Sequence, residues 1–140
     1  MSESPRIPAP PPLVALAAWI IPGGGYWMIR QRDRGTVIGI SIILLFVLGI
    51  LIGGIRVVEA PPALSQILQR PWFIGQFLVG PLGLIAAWIS NGLGTSAAYA
   101  DVISHSRINE IGTLYTAVAG MLNLMAIIDA AFRAGQEKAK

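Results

Sequence analysis

The chain has 140 residues, 54% hydrophobic and 12% charged, where a soluble domain carries roughly 25% charged residues. With a mean hydropathy of +0.67, so few charges cannot cover a soluble surface, and lipid must be part of the solvent. No cysteine is present, which excludes disulfides, thiolate metal sites and cysteine nucleophiles, and the excess of ten Lys and Arg over seven Asp and Glu fits anionic headgroups better than a nucleic-acid partner.

Residues 1–12, MSESPRIPAPPP, hold five prolines and predict an extended, polyproline-like tail. Residues 13–29 form the first apolar segment, short for a span and interrupted by Pro22 and Gly23-Gly24-Gly25. A kinked span, a helix reaching partway into the bilayer and an uncleaved signal anchor all fit it. A cleavable signal peptide fits poorly, because Gly-Gly-Gly-Tyr-Trp is a poor cleavage context.

A basic turn follows, Arg30-Gln31-Arg32-Asp33-Arg34-Gly35, and then twenty uncharged residues, Thr36 to Ile55. Twenty residues at 1.5 Å rise cover a hydrocarbon core of ~30 Å. The span is expected over 36–58, so that 13–58 forms a helical hairpin. Gly35/Gly39 and Gly49/Gly53 are small-xxx-small pairs that admit a close neighbouring helix.

Residues 59–71 read as a polar connection, with Glu59-Ala60-Pro61-Pro62 as a stop and Ala63 to Arg70 as a short interfacial helix. Residues 72–132 are expected to hold two more membrane helices joined by a loop. The first spans 72–90, starting at Pro71-Trp72, with Pro81 as a kink between Gly80 and Gly83, and 91–96 as a turn. The second spans 111–132 after a polar connection over 101–109, with Glu110 in its first turn and Asp129 and Arg133 placed to pair at i and i+4. Residues 133–140 are a basic tail. The expected fold is an all-α membrane protein, a small bundle of about four transmembrane segments, the first kinked at Pro-Gly-Gly-Gly.

Four full crossings put the arginine turn and the basic C-terminus on opposite faces. Both termini inside collects six of the ten basic residues there, a small margin in favour of that orientation.

Little in the chain points to chemistry. Gly23-Gly24-Gly25 lacks the strand, helix and spacing of a phosphate loop. His105 with Asp101 and Glu110 reads as a solvated loop rather than a metal site. No carboxylate lies near the centre of a span, and no Ser/His/Asp arrangement occurs. No enzyme activity, cofactor or metal is expected. Arg30, Arg32 and Arg34 are the candidate contact for lipid phosphates or a partner, since guanidinium groups suit phosphate. Gly23, Gly25, Gly35, Gly39, Gly49, Gly53 and Asn123 are the candidate helix-packing positions, Asn123 having Thr116 and Gly120 at successive turns behind it. These features favour a structural or accessory protein that binds membrane lipids, a membrane-protein partner or a second copy of itself. A small transporter or channel subunit is the alternative, with Asn123, Thr116, Ser90 and Asn91 along its polar path.

The segment from Trp19 to Gly35 resembles the TM-two domain, a helical hairpin widespread in bacteria. Pro22, Gly23, Gly25, Trp27, Arg34 and Gly35 match that pattern. Tyr26 stands where histidine is frequent, Met28 where an aromatic is usual, and Arg30 where glycine is usual. Beyond the hairpin, Glu110-Ile-Gly112, Ala119-Gly-Met-Leu-Asn123-Leu and Ile128-Asp129-Ala130 resemble a group of uncharacterised bacterial membrane proteins. The resemblance implies a small multi-pass protein of the bacterial inner membrane with no assigned role.

Overall fold

A computed structural model describes residues 9–54, 57–58, 71–94 and 106–138. Among them every regular element is a helix: α1 (Pro11–Ile20), α2 (Gly24–Met28), α3 (Arg32–Gly53), α4 (Pro71–Phe77), α5 (Pro81–Gly94) and α6 (Ser106–Lys138). Four crossings are not supported. Two helices are long and apolar enough to cross a membrane, α3 with mean hydropathy 2.8 and the stretch Ile108–Gln136 of α6 with 1.7. The sequence boundaries shift accordingly. α3 takes in Arg32 to Gly35 and ends at Gly53, short of residue 58, because Gly54 leaves the helical region. α6 absorbs the expected connection from Ser106 and most of the basic tail. α5 runs through Asn91 to Gly94, where a turn was expected. Pro11 and Pro12, placed in an extended tail by the sequence, open α1, and Pro10 before them keeps the extended backbone. Proline at the first helical positions lacks only N–H groups that would have no intrahelical partner. Residues 1–8, the stop at 59–62, the interfacial segment 63–70 and the loop with Asp101 and His105 lie outside the described residues.

The two shorter apolar segments are each a helix, a break and a second helix. α1 ends because Ile21, which precedes Pro22, is extended at φ −126° and ψ 113°. Gly23 then takes a left-handed conformation at φ +81°, which a side chain would resist. The chain folds back: a Cβ on Gly25 of α2 would lie 2.8 Å from Ala18 Cβ and 2.9 Å from the Val14 carbonyl oxygen of α1. α4 and α5 are interrupted in the same way at Gly80, φ +84°, followed by Pro81. Gly83 of α5 lies directly against the Gln76 carbonyl and Phe77 of α4.

α6 is the element on which α1, α2, α3 and α4 pack, whereas α5 packs against α4. α3 runs antiparallel to α6, with Gly49 and Gly53 against Gly112 and Thr116. The α1–α2 hairpin lies on the other half of α6, with Pro11 near Gly135, Gly25 near Ala130 and Ala18 near Asn123. The hairpin therefore enters and leaves at the end of the bundle that carries the arginine turn. From Asp129 to Asn123 is six residues of α6, a depth of about 9 Å, so this segment reaches partway. α4 enters from the opposite end, passing Thr116 and Ala117 to reach Asn123. α6 begins at that same end, where the Ile108 carbonyl faces Gly53. Hence the arginine turn and the C-terminal end of α6 share one end of the bundle. The conflict posed by four crossings does not arise.

Most large aliphatic side chains of the two long helices point outward. Val37 and Leu51 on α3 are 66% and 73% exposed, and Leu114 and Met125 on α6 are 63% and 71% exposed. Inside, a few larger apolar residues, Val14, Ile42, Phe46 and Val79 among them, share the core with small and polar ones: Ala18, Ala119, Ala130, Gln76, Thr116 and Asn123 are all buried.

Candidate functional site

Two places concentrate polar groups. The first is the meeting point of the two hairpin tips at Asn123, which is 0% exposed in the middle of α6. A helix leaves its last carbonyls without intrahelical donors, and in an apolar surround each needs a partner. Asn123 Nδ2 donates to the Leu78 carbonyl just past α4 at 2.8 Å, and makes a longer contact of 3.5 Å to the Ala18 carbonyl of α1. One carboxamide thus caps two broken helices. Gly80 fits directly against the Trp19 carbonyl, and the Trp19 and Phe77 rings meet at 5.5 Å, so the tips touch each other as well as α6. Nearer the α4 entrance, Gln76 Nε2 donates to the Val57 carbonyl and to Thr116 Oγ1, both at 2.9 Å. Asn123 Oδ1 and Gln76 Oε1 have no hydrogen-bond partner among the described residues.

The second place is the arginine-turn end. Ile29, Arg30 and Gln31 connect α2 to α3, with Arg30 held at φ +62°. Arg32 and Arg34 fall in the first turn of α3, where the helix end is itself positive, and Asp33 is the one acidic residue there. All three arginines are exposed, and no ion pair engages them among the described residues. Across from them, Asp129 Oδ2 accepts from Tyr26 Oη at 2.7 Å and from Arg133 Nε at 2.8 Å. The Asp129–Arg133 pair expected from the sequence is therefore present. Tyr26 was seen only as a departure from a family pattern; a lone buried phenol needs an acceptor, and that requirement was the available signal. Gln76 was likewise missed, although it is the one amide side chain within the expected span 72–90.

Below this rim an apolar groove of about 370 Å³ opens between α3 and α6. Val37 and Ser41 form one wall and Leu122 and Met125 the other, with Tyr26 and Asp129 closing its end.

The glycines sit at three close approaches. Gly35 and Gly39 receive the first tip, with Gly39 against the Pro22 carbonyl and Gly23 against that of Gly35. Gly25 lies between α1 and Ala130 of α6. Gly49 and Gly53 face Gly112, where a Cβ on Gly49 would come within 2.7 Å of Thr116 Cγ2. The polar path imagined for transport is not assembled as one lining: Thr116 and Asn123 are engaged as described, Ser90 is buried on α5, and Asn91 is exposed. No group of three or more potential metal ligands occurs among the described residues.

A family model covers nearly the whole chain. The chain belongs to DUF6677, a family of unknown function, matched over residues 13–140. Kinship with an uncharacterised family agrees with the resemblance of the region after the hairpin. No match is found among curated proteins or solved structures.

Proposed function

We propose that this chain is a small integral membrane protein, without enzymatic activity, that serves as an accessory or structural component by binding lipids or a protein partner at its arginine-turn end. The observation that carries this reading is how little of the two long apolar helices is buried. The apolar windows of α3 and α6 are only 28% and 33% buried inside the protein, while Asn123, Thr116 and Gln76 are enclosed. A soluble core helix would bury its aliphatic face, whereas in lipid small residues bring helices together and polar side chains link them. α3 and α6 act as crossings, and the segments 13–29 and 72–90 complete the bundle as interrupted helices from opposite faces. By the positive-inside rule, Arg30, Arg32, Arg34 and Arg133 at one end favour a cytoplasmic position for that end. The TM-two-like hairpin favours a bacterial inner membrane.

The transporter reading draws on the two interrupted helices that meet at mid-depth, an arrangement used by transporters for binding sites. The accessory reading is preferred because Asn123 spends its amide on the helix ends and the tips are in direct contact. Single cysteines introduced into this cysteine-free chain test the topology. Ile43→Cys, Leu84→Cys and Leu122→Cys resist water-soluble maleimide, while Arg32→Cys and Gln136→Cys react from the same side of the membrane. Strong labelling at the first three, or labelling of the last two from opposite sides, overturns the reading.

A further inference from the structure

The geometry points to the groove between α3 and α6 as a seat for one acyl chain of an anionic phospholipid, whose phosphate is held at the rim by Arg34 and its neighbouring arginines. This deepens the reading above, on which it rests, by naming the ligand and the place.

The groove has the two chemistries that such a ligand joins. Its walls are apolar: Val37 and Met125 are among the most exposed aliphatic side chains of the two crossing helices, so the groove opens sideways to the hydrocarbon rather than into the bundle. Its upper end is charged. Arg133 is bonded to Asp129 at that end, and Arg30, Arg32 and Arg34, with Asp33 among them, lie in the turn and the first turn of α3 that lead into the groove's wall. Asp129 is already engaged by Tyr26 and Arg133, so it does not neutralise the turn. Arg34 lies within electrostatic range of Tyr26 and Asp129, the two residues that close the groove's end. The positive end of α3 adds to the same field. An unpaired cluster of guanidinium groups at headgroup depth is satisfied by phosphate, and the cytoplasmic leaflet supplies anionic lipid. A partner helix filling the groove would satisfy the walls but leave the arginines unpaired, so lipid is the occupant favoured by charge. Ser41 lets the groove exist: its side chain is small, and its hydroxyl turns back to the Val37 carbonyl at 2.8 Å.

The test uses the full chain in dodecyl maltoside, supplied with phosphatidylglycerol or phosphatidylcholine and examined by native mass spectrometry. The intact protein retains one phosphatidylglycerol at least tenfold more tightly than phosphatidylcholine. Ser41→Trp fills the groove from its exposed side and abolishes that retention with all arginines in place. Leu122→Trp does the same from the opposite wall, so a folding defect in one variant does not decide the result. The Arg30→Gln/Arg32→Gln/Arg34→Gln variant still takes up lipid but loses its preference for the anionic headgroup. If both Trp variants hold phosphatidylglycerol as the parent does while the Gln variant does not, the turn binds lipid and the groove does not, which overturns this inference alone. If the Gln variant also retains its preference, the lipid-binding role of the turn falls with it. If the Trp variants change the number of protein copies instead of bound lipid, the groove is a protein interface and the inference is wrong.

Discussion

The α3–α6 seam offers the sharpest test of how this protein is held together. A Cβ added to Gly112 would lie 2.6 Å from the Gly49 carbonyl oxygen and 2.7 Å from Gly53 Cα, both backbone atoms that cannot swing aside. Carbon–carbon contacts settle at about 3.5–4.0 Å, so Gly112→Ala must push α3 back by about 0.8 Å at Gly53. A gap of that size forfeits roughly a quarter to a half of each contact's dispersion energy along the seam. Overpacking of this kind costs about 1–3 kcal/mol, or about 5- to 150-fold in the folding equilibrium. In a solvated helix with room for a methyl group the same change would stabilise by about 1 kcal/mol through helix propensity. The two accounts therefore differ in sign. Reversible unfolding in detergent micelles, followed by circular dichroism, measures it. Leu114→Ala on the outward face of α6 is the control and stays within about 0.5 kcal/mol of the parent. A Gly112→Ala variant as stable as the parent or more so would refute close backbone packing as the force that joins these helices.

Two further predictions follow from single side chains. Asn123→Ala removes the cap from both interrupted helices and lowers stability by about 1 kcal/mol, with faster amide exchange at Ile20–Gly23 and Leu78–Gly80 than elsewhere; uniform exchange across the chain would argue against the shared cap. Arg30 is held at φ +62°, a conformation that costs a side chain about 1–2 kcal/mol, so Arg30→Gly raises the thermal midpoint, and an unchanged or lower midpoint would mean that the Arg30 side chain contributes contacts that offset the strain.

Much of this protein was legible from composition. Twenty uncharged residues after a basic turn mark α3 because an apolar solvent leaves backbone N–H and C=O groups only each other to bond. Pro22 with Gly23 marks a break because proline lacks a donor and restricts the residue before it. Asp129 and Arg133 were paired by helical spacing alone. These features depend on neighbours within a turn or two of chain.

Direction and partnership depend on contacts remote in sequence, and only the tertiary structure decided them. A hydropathy profile treats an apolar stretch that turns back halfway along the bundle and one that runs its full length alike, since both are equally apolar. The difference lies in Gly25 folding onto Val14 and Ala18, and in Gly80 meeting Trp19 sixty-one residues earlier. The same holds for Tyr26 and Asp129, separated by 103 positions and joined by one hydrogen bond. Local chemistry determined where this chain is helical and where it breaks; the fit of glycine against backbone determined which ends of those helices share an end of the bundle.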